Sequence, residues 1–371
     1  MNTRNEHKKK ALIVASVGRF FEFERNNIAI LQKKGYSIDL AANFVGLNCD
    51  DFDADGVNKI QVNFTRSPFS ATSFVVYKEL RKLFSREKYS LIHCHTPNAA
   101  VLVRLAATKT RSSGTKVIYT AHGFHFYKGA PLLNWLLYFP VEYFCSKLTD
   151  CLITINKEDF KLAKRHFKST NVKYVPGVGI DLQKYNPWSC GAKKNNEKPI
   201  SLISIGELSE RKNHQFVIEQ LKKVDFPVIY DIIGEGDKLE KLDSLIRNNG
   251  LDHQIRLLGR KENISEILKD YDIFLFPSKQ EGLPVALMEA MAMEMPVLAS
   301  NIRGNRDLIP KDNLQLFDLN KPDELLSKIN ILLDPSIRIK LGKGNRKRLK
   351  PFSRFAVSQM MNRIYEEVLN G

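Results

Sequence analysis

Residues 276–293, FPSKQEGLPVALMEAMAM, contain in succession the end of an apolar run, a polar loop and an apolar segment of helical length. The run that ends at Phe276 is short and apolar, which is typical of a buried strand. Pro284 has a fixed dihedral angle that suits the first turn of a helix. The stretch therefore predicts a strand, a loop and a helix in that order, which is the repeating unit of a parallel sheet.

The same alternation of short apolar runs and longer amphipathic segments continues along the whole chain. A first series of strands is predicted at 11–17, 37–42, 91–93, 116–120, 151–155 and 172–175. A second series is predicted at 201–206, 228–233, 255–257, 273–276, 297–299 and 314–317. Continuous apolar strands of this kind indicate parallel sheets covered by helices on both faces. Residues 177–199 are predicted to link two doubly wound α/β units.

Composition excludes several classes of protein. The 371 residues and 43% apolar content predict two domains. No run approaches the roughly 20 apolar residues of a membrane-spanning helix. Five cysteines without a C-x-x-C pair argue against a disulfide framework and favour a cytoplasmic location. The net charge of +16 indicates an anionic partner, which could be nucleic acid, an acidic membrane surface or a phosphorylated substrate.

A candidate anion site follows the strand that ends at residue 276. The free backbone N–H groups at a helix start attract a diphosphate, so the site is predicted at Gly282, Leu283 and Pro284. Glu289 lies among apolar residues of the same helix and needs a partner, for which the two hydroxyls of a ribose are suitable. Glu281 is placed to accept from sugar hydroxyls, and a salt bridge to a nearby Lys or Arg is the alternative for these glutamates.

The chain resembles the retaining GT-B glycosyltransferases of family 4, whose signature is an E-x7-E pattern, here Glu281 and Glu289. The resemblance covers nearly the whole chain and is closest to bacterial exopolysaccharide and capsule glycosyltransferases. It includes YTAHGFHFYKG (119–129), VPGVGIDLQKYNP (175–187), SIGELSERKNH (204–214) and IIGEGD (232–237).

The resemblance implies two Rossmann-like domains that face each other across a cleft. Residues 1–186 would bind the acceptor, residues 187–350 would bind the nucleotide sugar, and residues 351–371 would form a helix that crosses back to the first domain.

The resemblance also implies roles for individual residues. His122 would be a catalytic residue against the donor sugar or the attacking hydroxyl, a role that suits a histidine titrating near neutral pH; the alternative is a loop histidine without a role in the reaction. Gly18 would let the backbone approach the reaction centre or is a turn glycine. Lys212 would hold the diphosphate, and Arg211 would replace the family arginine that is Glu207 here.

The reaction implied is transfer of a hexose or N-acetylhexosamine from a UDP-linked sugar to a lipid-diphosphate-linked saccharide, with retention of configuration. It would need no metal and no cofactor beyond the donor, and attack would come from the face of the departing phosphate. Two alternatives stay open. One is a nucleotide-sugar epimerase of the same fold, of the UDP-GlcNAc 2-epimerase type. The other is a nucleic-acid-binding protein that uses the basic stretch 338–350, for which a solvated helical face is the simpler interpretation.

Three further patterns each allow two interpretations. His93 and His95 could form a metal pair on one strand face, but no carboxylate ligand is evident nearby. Residues 51–62 begin like a calcium loop but end in valine, so a surface loop is expected. Residues 70–88 and 130–147 combine aromatic and basic residues. Most of these aromatic side chains are expected in the core, although such segments would also suit peripheral attachment to the inner face of an anionic membrane.

Overall fold

The structure is a computed structural model that describes residues 9–46, 56–65, 70–169, 171–185, 187, 199–310 and 313–371. It divides into two compact units, residues 1–179 with 355–371 and residues 180–354. The sequence places the domain boundaries after residues 186 and 350, and these remain predictions. Most of the predicted linker, residues 186 and 188–198, lies outside the described residues.

The first unit contains a seven-stranded sheet in the order β3-β2-β1-β4-β5-β6-β7. Every neighbouring pair in this sheet is parallel. The strands are β1 (Lys10–Val17), β2 (Ser37–Asn43), β3 (Val57–Gln61), β4 (Tyr89–His95), β5 (Lys116–Ala121), β6 (Cys151–Thr154) and β7 (Asn171–Tyr174). A 3-10 helix (Gly18–Glu24) follows β1, and the helices are α1 (Arg25–Lys33), α2 (Ala71–Arg86), α3 (Pro97–Ala106), α4 (Thr108–Arg111), α5 (Leu132–Ser146) and α6 (Lys157–His166).

The strand β3 corrects the sequence prediction of a surface loop through residue 62. Its residues VNKIQ are all half-buried or exposed, because β3 lies at the edge of the sheet and pairs only with β2. An edge strand needs no continuous apolar run, and so its sequence lacks the pattern that identified the other strands. Residues 51–55 of the same stretch lie outside the described residues.

The second unit contains a six-stranded parallel sheet in the order β10-β9-β8-β11-β12-β13. The strands are β8 (Ile200–Ile205), β9 (Val228–Ile233), β10 (Ile255–Leu257), β11 (Ile273–Phe276), β12 (Val297–Ser300) and β13 (Leu316–Phe317). The helices are α7 (His214–Leu221), α8 (Leu239–Asn248), α9 (Ile264–Leu268), α10 (Val285–Ala292), α11 (Asn305–Leu308), α12 (Asp323–Ile331) and α13 (Pro335–Arg348), and a 3-10 turn (Lys350–Phe352) follows.

The last helix, α14 (Arg354–Asn370), packs on the sheet of the first unit. Its side chains Met361, Ile364 and Tyr365 join the apolar cluster formed by β1, β2 and α1. Complete burial of each such side chain contributes roughly 1.5–3 kcal/mol. This helix therefore covers one face of the first sheet.

No helix in the described ranges is long and apolar enough to cross a bilayer. The cysteines at 94, 145 and 151 are free thiols.

Candidate functional site

In both sheets the order of strands reverses at the centre, and the predicted site residues other than His122 follow the strands at these points. In the first unit the chain winds outward from β1 on one side and from β4 on the other, and in the second unit from β8 and from β11. Loops at such a switch point diverge and leave a crevice at the carboxyl ends of the strands, where doubly wound folds bind ligands. Gly18 directly follows β1, and Arg211 and Lys212 lie between β8 and α7.

In the second unit, Glu281 is held by two cations. Its Oε1 accepts a bond of 2.8 Å from Nζ of Lys212 and one of 2.9 Å from Nη1 of Arg211. Arg211 also lies 3.6 Å from Glu207, the residue that departs from the family pattern. At Glu281 the structure therefore has a salt bridge to Lys and Arg, which was the alternative to a contact with sugar hydroxyls. Lys212 and Arg211 exceed the charge of the buried Glu281 carboxylate by one, and the exposed carboxylate of Glu207 offsets part of this excess.

The Lys212 side chain passes close to a glycine. A Cβ at position 206 would lie only 3.1 Å from Cε of Lys212, so Gly206 lets the lysine pass over the end of β8. The ammonium group lies 4.6 Å above the ring of Phe276, the last residue of β11. Burial lowers the pKa of Lys212, while Glu281 acts in the opposite direction. The side chain is therefore fixed beside the candidate anion site.

The helix α10 begins one residue later than the sequence predicts. Pro284 has ψ of 119° and is the N-cap, so it precedes the first helical turn and does not belong to it. The first hydrogen bond of the helix runs from Met288 N–H to the carbonyl oxygen of Pro284. The N–H groups of residues 285–287 precede it and have no acceptor within the helix. The loop is closely packed, since a Cβ on Gly304 would lie 2.5 Å from the carbonyl oxygen of Gly282. Leu283 is buried.

Glu289 has a partner that the sequence did not suggest. Its Oε1 accepts a hydrogen bond of 2.5 Å from the hydroxyl of Tyr185, and burial raises the pKa of the Glu289 carboxyl. The Tyr185 backbone is itself held by Arg346, whose Nη1 donates to the Tyr185 carbonyl at 2.9 Å and whose Nη2 donates to that of Leu182 at 2.8 Å. Glu289 is therefore a positioned carboxylate within the second unit.

The interpretation of 338–350 as a solvated face holds for Lys340, Lys343, Lys347 and Lys350, which are exposed, but not for Arg338 and Arg346. Arg338 is buried and donates to the carbonyl groups of Leu332 and Leu333. These two guanidinium groups satisfy backbone acceptors, which a helical pattern of basic residues cannot reveal.

In the first unit, three side chains meet where β1, β4 and β5 end. Nδ1 of His95 lies 3.1 Å from Nε2 of His122, and Nε2 of His95 lies 3.2 Å from Oε2 of Glu24. The ring of Phe20 meets the His122 ring edge-on at 4.8 Å between centroids. Gly18 is buried at the start of the 3-10 helix that carries Phe20 and Glu24. Sequence reasoning missed Glu24, because nothing local marks a buried carboxylate in that helix.

Burial corrects the expectation that His122 titrates near neutral pH. Burial lowers the pKa of His122 to about 4, so the imidazole is uncharged at pH 7. The pKa of His93 falls to about 3 by burial and by the nearby His122. A neutral histidine can accept or donate a hydrogen bond but supplies no positive charge to a diphosphate.

The expectation that no carboxylate lies near His93 and His95 is also wrong, because Glu24 lies beside His95. Glu24, His95 and His122 each offer one ligand atom, and these atoms lie within 4.8 Å of one another. His93 is not part of this group. Its Nδ1 and Nε2 instead form hydrogen bonds of 2.8 Å with the hydroxyl groups of Tyr365 and Thr120, respectively.

Comparison with known proteins identifies similar chains over almost the entire length. Residues 191–348 match the family described as glycosyl transferases group 1, and residues 10–156 match the family described as glycosyl transferase 4-like. The chain is 33% identical to the putative glycosyltransferase EpsD of Bacillus subtilis (strain 168), covering 98% of this chain and 97% of that protein. It is 29% identical to the UDP-Gal:alpha-D-GlcNAc-diphosphoundecaprenol alpha-1,3-galactosyltransferase of Escherichia coli, covering 73% of each.

Among solved structures, the chain is similar to Anabaena HepE in complex with UDP and glucose. The TM-score is 0.77 at 16% sequence identity, and the similarity covers 97% of this chain and 100% of that chain. At this level of identity the likeness concerns the fold. It confirms the predicted α/β class of two Rossmann-like domains of the GT-B type.

Proposed function

The chain belongs to the group 1 glycosyltransferases, and from this premise we propose that it transfers a hexose or N-acetylhexosamine from a UDP-sugar to a saccharide on a lipid diphosphate. The anomeric configuration is retained, and the product enters an exopolysaccharide, a capsule or another cell-surface glycan. Residues 187–350 bind the donor and residues 1–186 bind the acceptor.

The pairing of Lys212 and Arg211 on one oxygen of Glu281 carries this proposal. The pair lies in the unit that also presents the free amides of α10, so cations and helix dipole can act on one diphosphate. As the bond to the sugar breaks, negative charge grows on the departing UDP, and fixed cations stabilise it without reorganisation. Glu281 then directs the sugar hydroxyls and Glu289 the ribose. In this reaction His122 contacts the reacting sugar, and Gly18 lets the backbone approach it.

The choice of donor and acceptor is supported by the relatives. The E. coli enzyme is named for UDP-Gal and a diphosphoundecaprenol-linked GlcNAc. HepE was solved with UDP and glucose. A UDP-sugar and a lipid-linked saccharide are therefore the substrates to test first.

The first experiment measures nucleotide binding by calorimetry and thermal shift, with UDP, GDP, ADP and several UDP-sugars and no added metal. Selective binding of UDP that is lost in Glu289→Ala supports the donor site. Binding of DNA with a steep dependence on salt, and no binding of nucleotide, would refute it.

Product analysis then separates transferase from epimerase. A transferase moves labelled sugar to the lipid-linked acceptor. Release of UDP and an epimerised sugar without any acceptor would overturn the transfer reaction.

An exposed apolar surface on the first unit supports peripheral attachment to an anionic membrane on the cytoplasmic side. Leu132, Leu133, Leu136 and Leu137 of α5 are between 54% and 75% exposed, which is unusual for four leucines in one helix. On α2, Phe74 is exposed and carries the ammonium of Lys78 at 4.4 Å from its ring centroid. Helices α2 and α5 both pack on α3.

The expectation that most of these aromatic residues lie in the core is confirmed. Trp135, Phe139 and Tyr143 pack on the core as expected, whereas Phe144 and Tyr138 are exposed. The exposed leucines would enter the bilayer interface, while the basic residues of α2 would meet anionic headgroups.

Vesicle co-sedimentation tests the attachment. Binding to vesicles with anionic lipid should exceed binding to zwitterionic vesicles, and should be lost in a Leu133→Gln, Leu136→Gln double variant. Leu239→Gln, the same substitution at an exposed leucine of α8 in the second unit, is the control. Equal binding of the double variant and the wild type would remove α5 from the membrane contact.

A further inference from the structure

The first unit contains a buried row of side chains that ends at the candidate catalytic histidine. From Glu24 the row leads through His95 to His122, with separations of 3.2 Å and 3.1 Å between the facing atoms. Glu24 and His95 are each 1% exposed, whereas His122 is half-buried. The three side chains come from the ends of β4 and β5 and from the 3-10 helix after β1, so the fold brings them together.

Only one proton can lie between the two imidazoles. Both rings are neutral, because burial lowers the pKa of His95 well below its usual value and that of His122 to about 4. A neutral imidazole has one N–H and one acceptor nitrogen. If Nδ1 of His95 is the acceptor, Nε2 of His122 donates to it; if Nδ1 of His95 is protonated, the direction is reversed. The tautomer of His95 therefore determines the tautomer of His122.

Glu24 determines which tautomer His95 adopts. Its Oε2 accepts a hydrogen bond of 2.6 Å from Nδ2 of Asn27, so this oxygen is an acceptor. Burial raises the pKa of the Glu24 carboxyl to about 7, and when the group is protonated the proton can reside on Oε1. Nε2 of His95 lies 3.2 Å from Oε2, although the contact does not have hydrogen-bond geometry, and no other polar atom of the described residues pairs with it. A carboxylate oxygen at this distance favours a proton on that nitrogen through its charge.

We propose that Glu24, acting through His95, is a positioning residue that fixes His122 in the tautomer protonated at Nε2. Nδ1 of His122 is then a hydrogen-bond acceptor, and no described residue occupies it. It is available to a sugar hydroxyl of donor or acceptor. The edge-on contact with Phe20 holds the plane of the ring. His93 stays outside the row, because both of its nitrogens already have hydroxyl partners.

The catalytic meaning of this tautomer rests on the proposed function, but the tautomer itself does not. It can be read without substrate from long-range nitrogen–proton spectra of protein labelled in the histidine rings, recorded at pH 8. Signals of His95 and His122 are assigned from the spectra of His95→Asn and His122→Asn. The wild type should show His122 protonated at Nε2 only.

Two substitutions at position 24 form a matched pair. Glu24→Gln keeps an oxygen that Asn27 orients, so the single tautomer should persist. Glu24→Met has similar length without an acceptor, and His122 should become a mixture of tautomers. The kcat of Glu24→Met should then be roughly tenfold lower or more, while KM for the UDP-sugar should change little.

Three results would overturn the proposal. The first is a wild-type His122 protonated at Nδ1, a result that needs no folded variant. The second is an unchanged tautomer in Glu24→Met that has a normal melting temperature. The third is stoichiometric zinc in the purified protein that is lost in Glu24→Met, which would make the three residues a metal site. A correct tautomer together with absent glycosyl transfer would refute the proposed function alone.

Discussion

Replacing Glu281 by Gln should separate nucleotide binding from sugar transfer. The substitution keeps an oxygen for Lys212 and Arg211, which now bind it at 2.8 and 2.9 Å, but removes one negative charge. The net charge of the three side chains changes from +1 to +2. UDP should therefore bind as tightly as in the wild type, or more tightly. The contact of Glu281 with a sugar hydroxyl becomes a neutral hydrogen bond.

The cost can be worked out from that single contact. A hydrogen bond to a charged group contributes about 1.5–3 kcal/mol, and about 1.36 kcal/mol corresponds to a factor of ten in rate. Complete loss of the contact would lower kcat/KM by about 13- to 160-fold, which is the upper limit for Glu281→Gln because a neutral hydrogen bond remains. Glu281→Ala should lose at least this much, because it also leaves Lys212 and Arg211 without their partner.

Calorimetry with UDP and transfer of labelled sugar measure the two effects. Glu210→Gln is a suitable control, because Glu210 pairs with Lys279 at an exposed position. Near-normal turnover in Glu281→Gln would remove this residue from the reaction. Loss of UDP binding with normal melting temperature would refute the argument from charge.

Two more outcomes are expected. Tyr185→Phe removes the hydrogen bond of 2.5 Å to Glu289 and should weaken UDP binding by about 2- to 12-fold, as loss of about 0.5–1.5 kcal/mol predicts; tighter binding in calorimetry would show that Tyr185 competes with the ribose. The melting temperature should fall as the pH is lowered from 6.5 to 4, because the low pKa values of His93 and His122, about 3 and 4, let the unfolded chain bind protons that the folded chain excludes. The cost is on the order of 3 kcal/mol per histidine at pH 4. Glu24, with its pKa raised to about 7, acts in the opposite direction because it stabilises the fold below pH 4.5 and loses this effect as the pH rises through 7; a flat profile would contradict the burial of the two histidines.

The sequence predicts the central strands well because their composition follows from their burial. The strand at 228–233 was predicted with the bounds that β9 has, and it is enclosed by neighbours on both sides. The edge strand β3 was missed because only its pairing with β2 defines it. The start of α10 was misplaced by one residue, because a proline suits both the N-cap and the first helical turn, and only ψ distinguishes them.

In the candidate site, the sequence identified the residues of a local motif, but it did not identify the distant residues that contact them. Glu281 and Glu289 are eight residues apart in one loop and helix, so a pattern can identify both. The partner of Glu289, Tyr185, lies 104 residues away in the sequence. Glu24 reaches His95 only because β1 and β4 are neighbours in the sheet. Such contacts depend on the order of strands in the sheet. A single sequence indicates the class of fold but does not specify that order.

The two groups of candidate residues differ in charge, and this difference bears on how they share the reaction. In the first unit the imidazoles of His95 and His122 are neutral, and burial raises the pKa of Glu24 to about 7, so this group offers hydrogen bonds but no cation. In the second unit Lys212 and Arg211 exceed the charge of Glu281 by one. A diphosphate needs cations or helix amides, whereas a sugar hydroxyl needs a neutral donor or acceptor. Under the proposed function, recognition of the nucleotide would therefore belong to the second unit, and His122 would act on a hydroxyl at pH 7 because no charge on the ring has to be removed first.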